Sequence, residues 1–125
     1  MLSTPGRCAA AFAAGVLTNI LVLFRFLTYT QRNHLPASTY IIFSGACFLA
    51  GFAVTLGVDR SSFRIATWLV AGVCAAQIGV IWLDCRDDPT NHNLFPFEMA
   101  YLCVLASPAY LGALASRVFR QPPRA

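Results

Sequence analysis

The sequence predicts an all-α integral membrane protein, a four-helix up-down-up-down bundle, and three observations carry that prediction. Of the 125 residues 58% are hydrophobic and 11% charged, with a mean hydropathy of +0.63, whereas about a quarter of an ordinary soluble domain is charged. Four apolar stretches of 18 to 20 residues follow one another along the chain, close to the roughly 20 residues that cross a bilayer at 1.5 Å per residue. The connections are short, which leaves no room for a soluble domain and makes consecutive helices antiparallel neighbours in a single transmembrane domain, residues 1–125.

The first stretch runs from Cys8 to Leu27. Arg7 before an apolar run also suits a signal peptide. The run is as long as a bilayer is thick, however, and Thr28 to Arg32 offers no small-x-small cleavage site, so it reads as a membrane helix. The second stretch is Tyr40 to Val58 and the third Ile65 to Leu83. The fourth is Met99 to Ser116, within a span expected over about 97–117; just before it, Pro96 disfavours a helical Phe95 and suits the first helical position.

Charge sets the expected orientation. Arg7, Arg60, Arg64, Arg117, Arg120 and Arg124 lie with the termini and the second connection, and Arg25, Arg32 and Arg86 with the first and third. Six against three places both termini on the cytoplasmic side of the membrane. Trp68 and Trp82, near opposite ends of the third span, and Tyr29, Tyr40 and Tyr101 at the outer level fit the same boundaries. The nine basic residues are all Arg and are dispersed in ones and twos, not clustered as nucleic-acid binding requires. The bilayer is therefore the expected partner, with another membrane protein or a second copy of the chain beside it.

Lipid tails are as apolar as Leu, so helices in a bilayer associate through close packing and interhelical polar contacts. Each span supplies small residues four apart: Ala11 and Gly15, Cys47 and Gly51, Ala75 and Gly79, Gly112 and Ser116. Packing within the chain is the expected use, with a dimer face as the alternative. Asn19 and Gln77 lie inside spans at a similar depth, roughly 10 to 12 Å below the outer surface, and are expected to form a polar clamp. Thr18 and Ser44 are their only candidate neighbours for a wider polar cavity.

Arg25 is the charge deepest within an expected span. A bidentate pair with Glu98 or Asp84 is geometrically open to it, Glu98 first because it falls in the opening turn of its helix. On that reading Arg25→Ala weakens folding more than Arg32→Ala.

The third connection is the most distinctive segment. Asp88-Pro89-Thr90-Asn91 has the residues of a type I turn, and Glu98 suits the positive end of a helix dipole. Side chains able to bind something gather around it: Asp84, Cys85, Asp87, Asp88, His92, Asn93 and Glu98, with His34 arriving from the other outward loop. Zinc or copper could use two His with a carboxylate or thiolate, but the two His lie in different loops and no Cys-x-x-Cys or His-x-x-x-His spacing occurs, so no metal or other cofactor is expected. Neither His lies inside a span, where haem would need it. The stretch Asp88 to Glu98 resembles a D-P-T-x-H-N-L-(F/W)-P-F-E signature of small uncharacterised bacterial four-span membrane proteins. The resemblance covers 11 of 125 residues and implies membrane location, not a reaction.

Five cysteines, four of them within or beside apolar stretches, do not form a disulfide scaffold. Cys85 lacks an outward partner for thiol oxidoreductase chemistry, and Cys47 and Cys103 read as packing residues. Asp59, Asp84 and Glu98 all stand at helix ends, which disfavours a proton-coupled carrier. The expected function is therefore a non-catalytic subunit, assembly factor or modulator acting through the outward loop 84–98. The alternative is a small transporter or a ligand-binding or metal-binding protein using the outer polar cluster of Arg25, His34, Asp84, Asp88, His92, Asn93 and Glu98.

Overall fold

The computed structural model describes residues 3–58 and 60–120. Asp59 and Arg124, counted above, lie outside the described residues. The chain forms four helices long and apolar enough to cross a membrane: Thr4–Phe24, Ala37–Thr55, Ser62–Asp87 and Phe95–Val118.

α1, Thr4–Thr18, starts before the apolar run because Ser3 caps it: the Ser3 hydroxyl accepts the Gly6 amide at 3.3 Å, and Pro5 sits in the first turn. The span continues as a π-helical segment, Asn19–Phe24, and stops three residues short of Leu27. There Arg25 (φ 47°) and Phe26 (φ 56°) turn left-handed. A four-residue helix, α2, Tyr29–Arg32, follows in the connection. Its capping box pairs the Thr28 hydroxyl with the Gln31 amide and the Gln31 side chain with the Thr28 amide.

The second span, α3, is Ala37–Thr55. The third, α4, is Ser62–Asp87 and outruns the expected 65–83 at both ends, which brings Asp84 inside the helix. The fourth is split into α5, Phe95–Ala106, and α6, Pro108–Val118. Pro108 causes the break, because it has no amide to continue the ladder.

Side-chain bonds tie the span ends together. Arg7, in the first turn of α1, donates to the carbonyls of Val54 (3.1 Å) and Leu56 (2.6 Å) at the end of α3. It thereby satisfies carbonyls that a helix terminus leaves free. Arg117, near the end of α6, donates to the Ser62 hydroxyl at the start of α4 at 2.6 Å.

Adjacency in sequence does not decide which helices pack most closely. The tightest pairs are α1 with α4 and α3 with α6, the first span with the third and the second with the fourth. Glycine lets each pair meet backbone to backbone: a Cβ on Gly15 would stand 2.0 Å from the Leu69 carbonyl oxygen, and one on Gly112 2.1 Å from that of Phe48. Gly72 and Gly51 make the reciprocal approaches. Of the four small-residue pairs, Ala75 and Gly79 do not pack within the chain; both are exposed, and a Cβ on Gly79 would meet nothing within 4 Å. Gly72 takes that role on the third span.

The core between the pairs is built from small and branched side chains, among them Ala11, Cys47, Leu69, Val73 and Ala106, with Phe43 as its largest member. Large apolar residues such as Leu21, Ile41, Leu49 and Leu111 point outward, as lipid-facing side chains do. Hydroxyls add interhelical bonds: Thr55 to Ser116 at 2.9 Å, and Ser44 to the Leu105 carbonyl at 2.8 Å.

Candidate functional site at the loop end of the bundle

The first and third connections meet at one end of the bundle, and the lengthened α4 places a carboxylate between them. Asp84 is 9% exposed. Its Oδ2 accepts from the Arg32 guanidinium and lies 2.7 Å from His92 Nε2. The other ring nitrogen of His92, Nδ1, meets Glu98 Oε2 at 2.5 Å. One imidazole thus bridges a carboxylate late in α4 to one in the first turn of α5. A neutral ring has a single N–H and donates to only one of them, whereas a doubly protonated ring donates to both.

Local structure fixes each member. Arg32 ends α2, also donates to the Leu27 carbonyl, and lays its guanidinium 5.1 Å from the Phe24 ring centroid. His92 adopts φ 61° in the turn that leads to α5. Its ring lies edge-on to Tyr29, centroids 4.7 Å apart. Asn91 donates to the Asp84 carbonyl at 3.4 Å, while Cys85 Sγ donates to the Asn91 carbonyl at 3.5 Å. Loop 88–94 is therefore folded down on the bundle.

Of the residues singled out in the sequence, Asp84, His92 and Glu98 come together and Arg25, His34, Asp88 and Asn93 do not join them. Arg25 is a correction. Its guanidinium Nε donates to the Val22 carbonyl of its own span at 2.8 Å, and Arg32 takes the place at Asp84. The left-handed turn at Arg25 and Phe26 is the reason, since the span ends before Arg25 can face α4 or α5. His34 and Asn93 are exposed. Asp88 is exposed as well and shapes its own turn, accepting from the Thr90 amide (2.9 Å) and hydroxyl (2.7 Å). These bonds hold its carboxyl below the usual carboxylate range. Among the described residues no group of three or more His, Cys, Asp and Glu side chains is placed to hold a metal ion.

Sequence reasoning passed over Arg32 and Tyr29 as site members. The available signal was the Thr28-x-x-Gln31 capping box, which marks a helix whose last residue is Arg32. It also missed the meeting of Cys74 and Cys103, whose sulfurs are 3.6 Å apart between α4 and α5.

Below the cluster lies a cavity of about 200 Å³ with residues from all four spans in its walls. Arg32, His92 and Glu98 line its polar end, Tyr40 and Tyr101 a side, and Gln77 its deep end. The structure also brings Asn19 and Gln77 together: Asn19 Nδ2 donates to Gln77 Oε1 at 3.3 Å and to the Val73 carbonyl at 3.2 Å. Thr18 and Ser44 do not join them, bonding instead to the carbonyls of Ala14 and Leu105. Asn19 is fully buried, and its Oδ1 has no hydrogen-bond partner among the described residues. Asn19→Ala is expected to lower stability in detergent by only about 1 kcal/mol, as for other interhelical polar contacts in membranes; a loss several times larger in an unfolding titration would contradict that balance.

A search of protein-family models, curated proteins and solved structures finds no match to this chain.

Proposed function

We propose that the protein is a non-catalytic multi-pass membrane protein, a subunit, assembly factor or modulator, that acts through the loop joining its third and fourth spans. The observation that carries this reading is the His92 bridge. It ties the loop to both flanking helices and leaves Leu94 at the loop's end (64% exposed) and Phe95 (48%) and Phe97 (73%) in the first turn of α5 at the surface. A surface already ordered loses less conformational entropy on docking than a free loop does. The Arg distribution supports both termini being cytoplasmic, which puts the loop on the outer face, and the resemblance over Asp88 to Glu98 supports a bacterial inner membrane.

Site-specific photo-crosslinking in native membranes tests the reading. A crosslinker at Phe97 is expected to trap one discrete protein partner that a crosslinker at lipid-facing Leu49 does not trap, and Leu94→Ser is expected to reduce the yield severalfold. Lipid adducts alone at position 97 would sink the proposal.

A second reading, a membrane protein that binds a small ligand at its outer polar cluster, is favoured by the cavity beneath the loop. Unusual backbone surrounds that cavity. Leu23 and Phe24 belong to the π-helical segment, the left-handed Arg25 and Phe26 follow directly, and His92 is the third non-glycine residue at positive φ among the described residues. Such conformations concentrate at functional sites.

A further inference from the structure

We propose that the cavity at the loop end binds a small organic ammonium cation, with Glu98 as its counter-charge and the rings of Tyr29, Tyr40 and Tyr101 as its walls. The inference rests on the second reading above and assigns the chemistry of the ligand. All four residues line the cavity. Tyr40 and Tyr101 meet edge to face, with centroids 6.2 Å apart, and aromatic walls beside a carboxylate suit the recognition of alkylammonium groups.

The charges inside the cavity favour a cation over an anion. Arg32 is ion-paired with Asp84, bonds the Leu27 carbonyl and lies over the Phe24 face, so its charge is already met within the protein before any ligand enters. Glu98 is the more open carboxylate, with a side chain 33% exposed against 11% for Asp84. Among the described residues its only side-chain partner is His92, through Oε2 alone. Arg32 cancels Asp84, so while the His92 ring carries a single N–H, Glu98 is the carboxylate whose charge a bound cation can meet. A neutral ligand would gain from the apolar walls but not from this carboxylate.

At the deep end there is an independent sign that polar matter belongs in this region. Gln77 lines the cavity and receives the hydrogen bond of Asn19, whose buried Oδ1 has no donor among the described residues. A buried acceptor without a partner is costly, and such atoms are commonly satisfied by ordered water or a ligand.

The test uses the full chain in nanodiscs of phosphatidylglycerol, which carries no ammonium group, with choline as the probe. Its uncharged isostere 3,3-dimethylbutan-1-ol and the anion 3,3-dimethylbutyrate serve as comparators in the same calorimetric titration. Choline is expected to bind saturably and at least tenfold more tightly than either. This comparison needs no variant and so survives a failure of any mutant to fold. Glu98→Gln, which keeps an oxygen for His92, is expected to weaken choline at least tenfold. Tyr101→Phe should leave binding within twofold and Tyr101→Leu should weaken it severalfold, a split that assigns the effect to the ring face. Repeating the titration in phosphatidylcholine separates two sources of the same chemistry: loss of choline binding there marks a lipid headgroup as the occupant, and retention marks a free cation. Equal binding of the uncharged isostere, or choline binding unchanged in Glu98→Gln, would overturn the cation assignment while leaving a ligand site. No saturable binding of any of the three probes by folded protein would overturn both the assignment and the ligand-binding reading.

Discussion

Arg32→Ala is expected to destabilise the protein by about 3 to 5 kcal/mol, the range for removing one partner of a buried ion pair, and Arg25→Ala by less than about 1 kcal/mol, as for a surface substitution. The asymmetry follows from what each guanidinium touches. Arg32 and Asp84 are each 11% exposed at the side chain, and Arg32 also bonds the Leu27 carbonyl. Without it, the Asp84 carboxylate is left in a buried place with His92 as its remaining ring partner. Arg25 is exposed and bonds one carbonyl of its own turn, which solvent or a headgroup can replace. Reversible unfolding in mixed detergent micelles measures both. Asp84→Asn added to Arg32→Ala should recover part of the loss, because the stranded charge is then gone. Equal effects of the two Arg substitutions, or no recovery in the double variant, would show that the ion pair does not hold the connection.

Gly15→Ala should be comparably severe, about 3 kcal/mol, at the upper end of overpacking costs. The added methyl would stand 2.0 Å from the Leu69 carbonyl oxygen and 2.9 Å from the Val73 amide nitrogen, both backbone atoms of α4. No rotamer change relieves a clash between a Cβ and a backbone. The two helices must separate, and the core side chains between them lose contact with one another. Gly112→Ala, which meets the backbone of α3 at Phe48 and Phe52, is expected to behave alike. Gly79→Ala is the control. Nothing lies within 4 Å of its Cβ position, so stability should stay within about 1 kcal/mol and even rise, because alanine is the better helix former. A Gly15→Ala protein that unfolds at the wild-type denaturant fraction would mean that the first and third spans are not joined by this contact.

The two predictions differ in how far they were legible in the sequence. Small residues four apart announced that helices approach closely, and three of the four pairs do so within the chain. The stripe at Ala75 and Gly79 carries the same spacing and faces outward. Spacing shows that one face of a helix is narrow, but which face meets a neighbour depends on the rotation of that helix in the bundle. The cluster was legible in part for a similar reason. Asp84, His92 and Glu98 lie within fifteen residues and drew attention together, whereas Arg32 comes from the other connection, 52 positions from Asp84. Its choice over Arg25 turned on two left-handed residues that hydropathy does not register.

What the sequence determined by itself was the class of the molecule: four apolar helices of bilayer length with short polar connections. Those features are local, since run length and side-chain solvation suffice to set them. The tertiary structure alone decided that the first span packs on the third and the second on the fourth, that Arg32 and not Arg25 meets Asp84, and that a cavity opens beneath the His92 bridge. Each of these depends on where a helix stops and how it is turned about its axis, and a shift of a few residues at a span end rotates every side chain beyond it by 100° per residue.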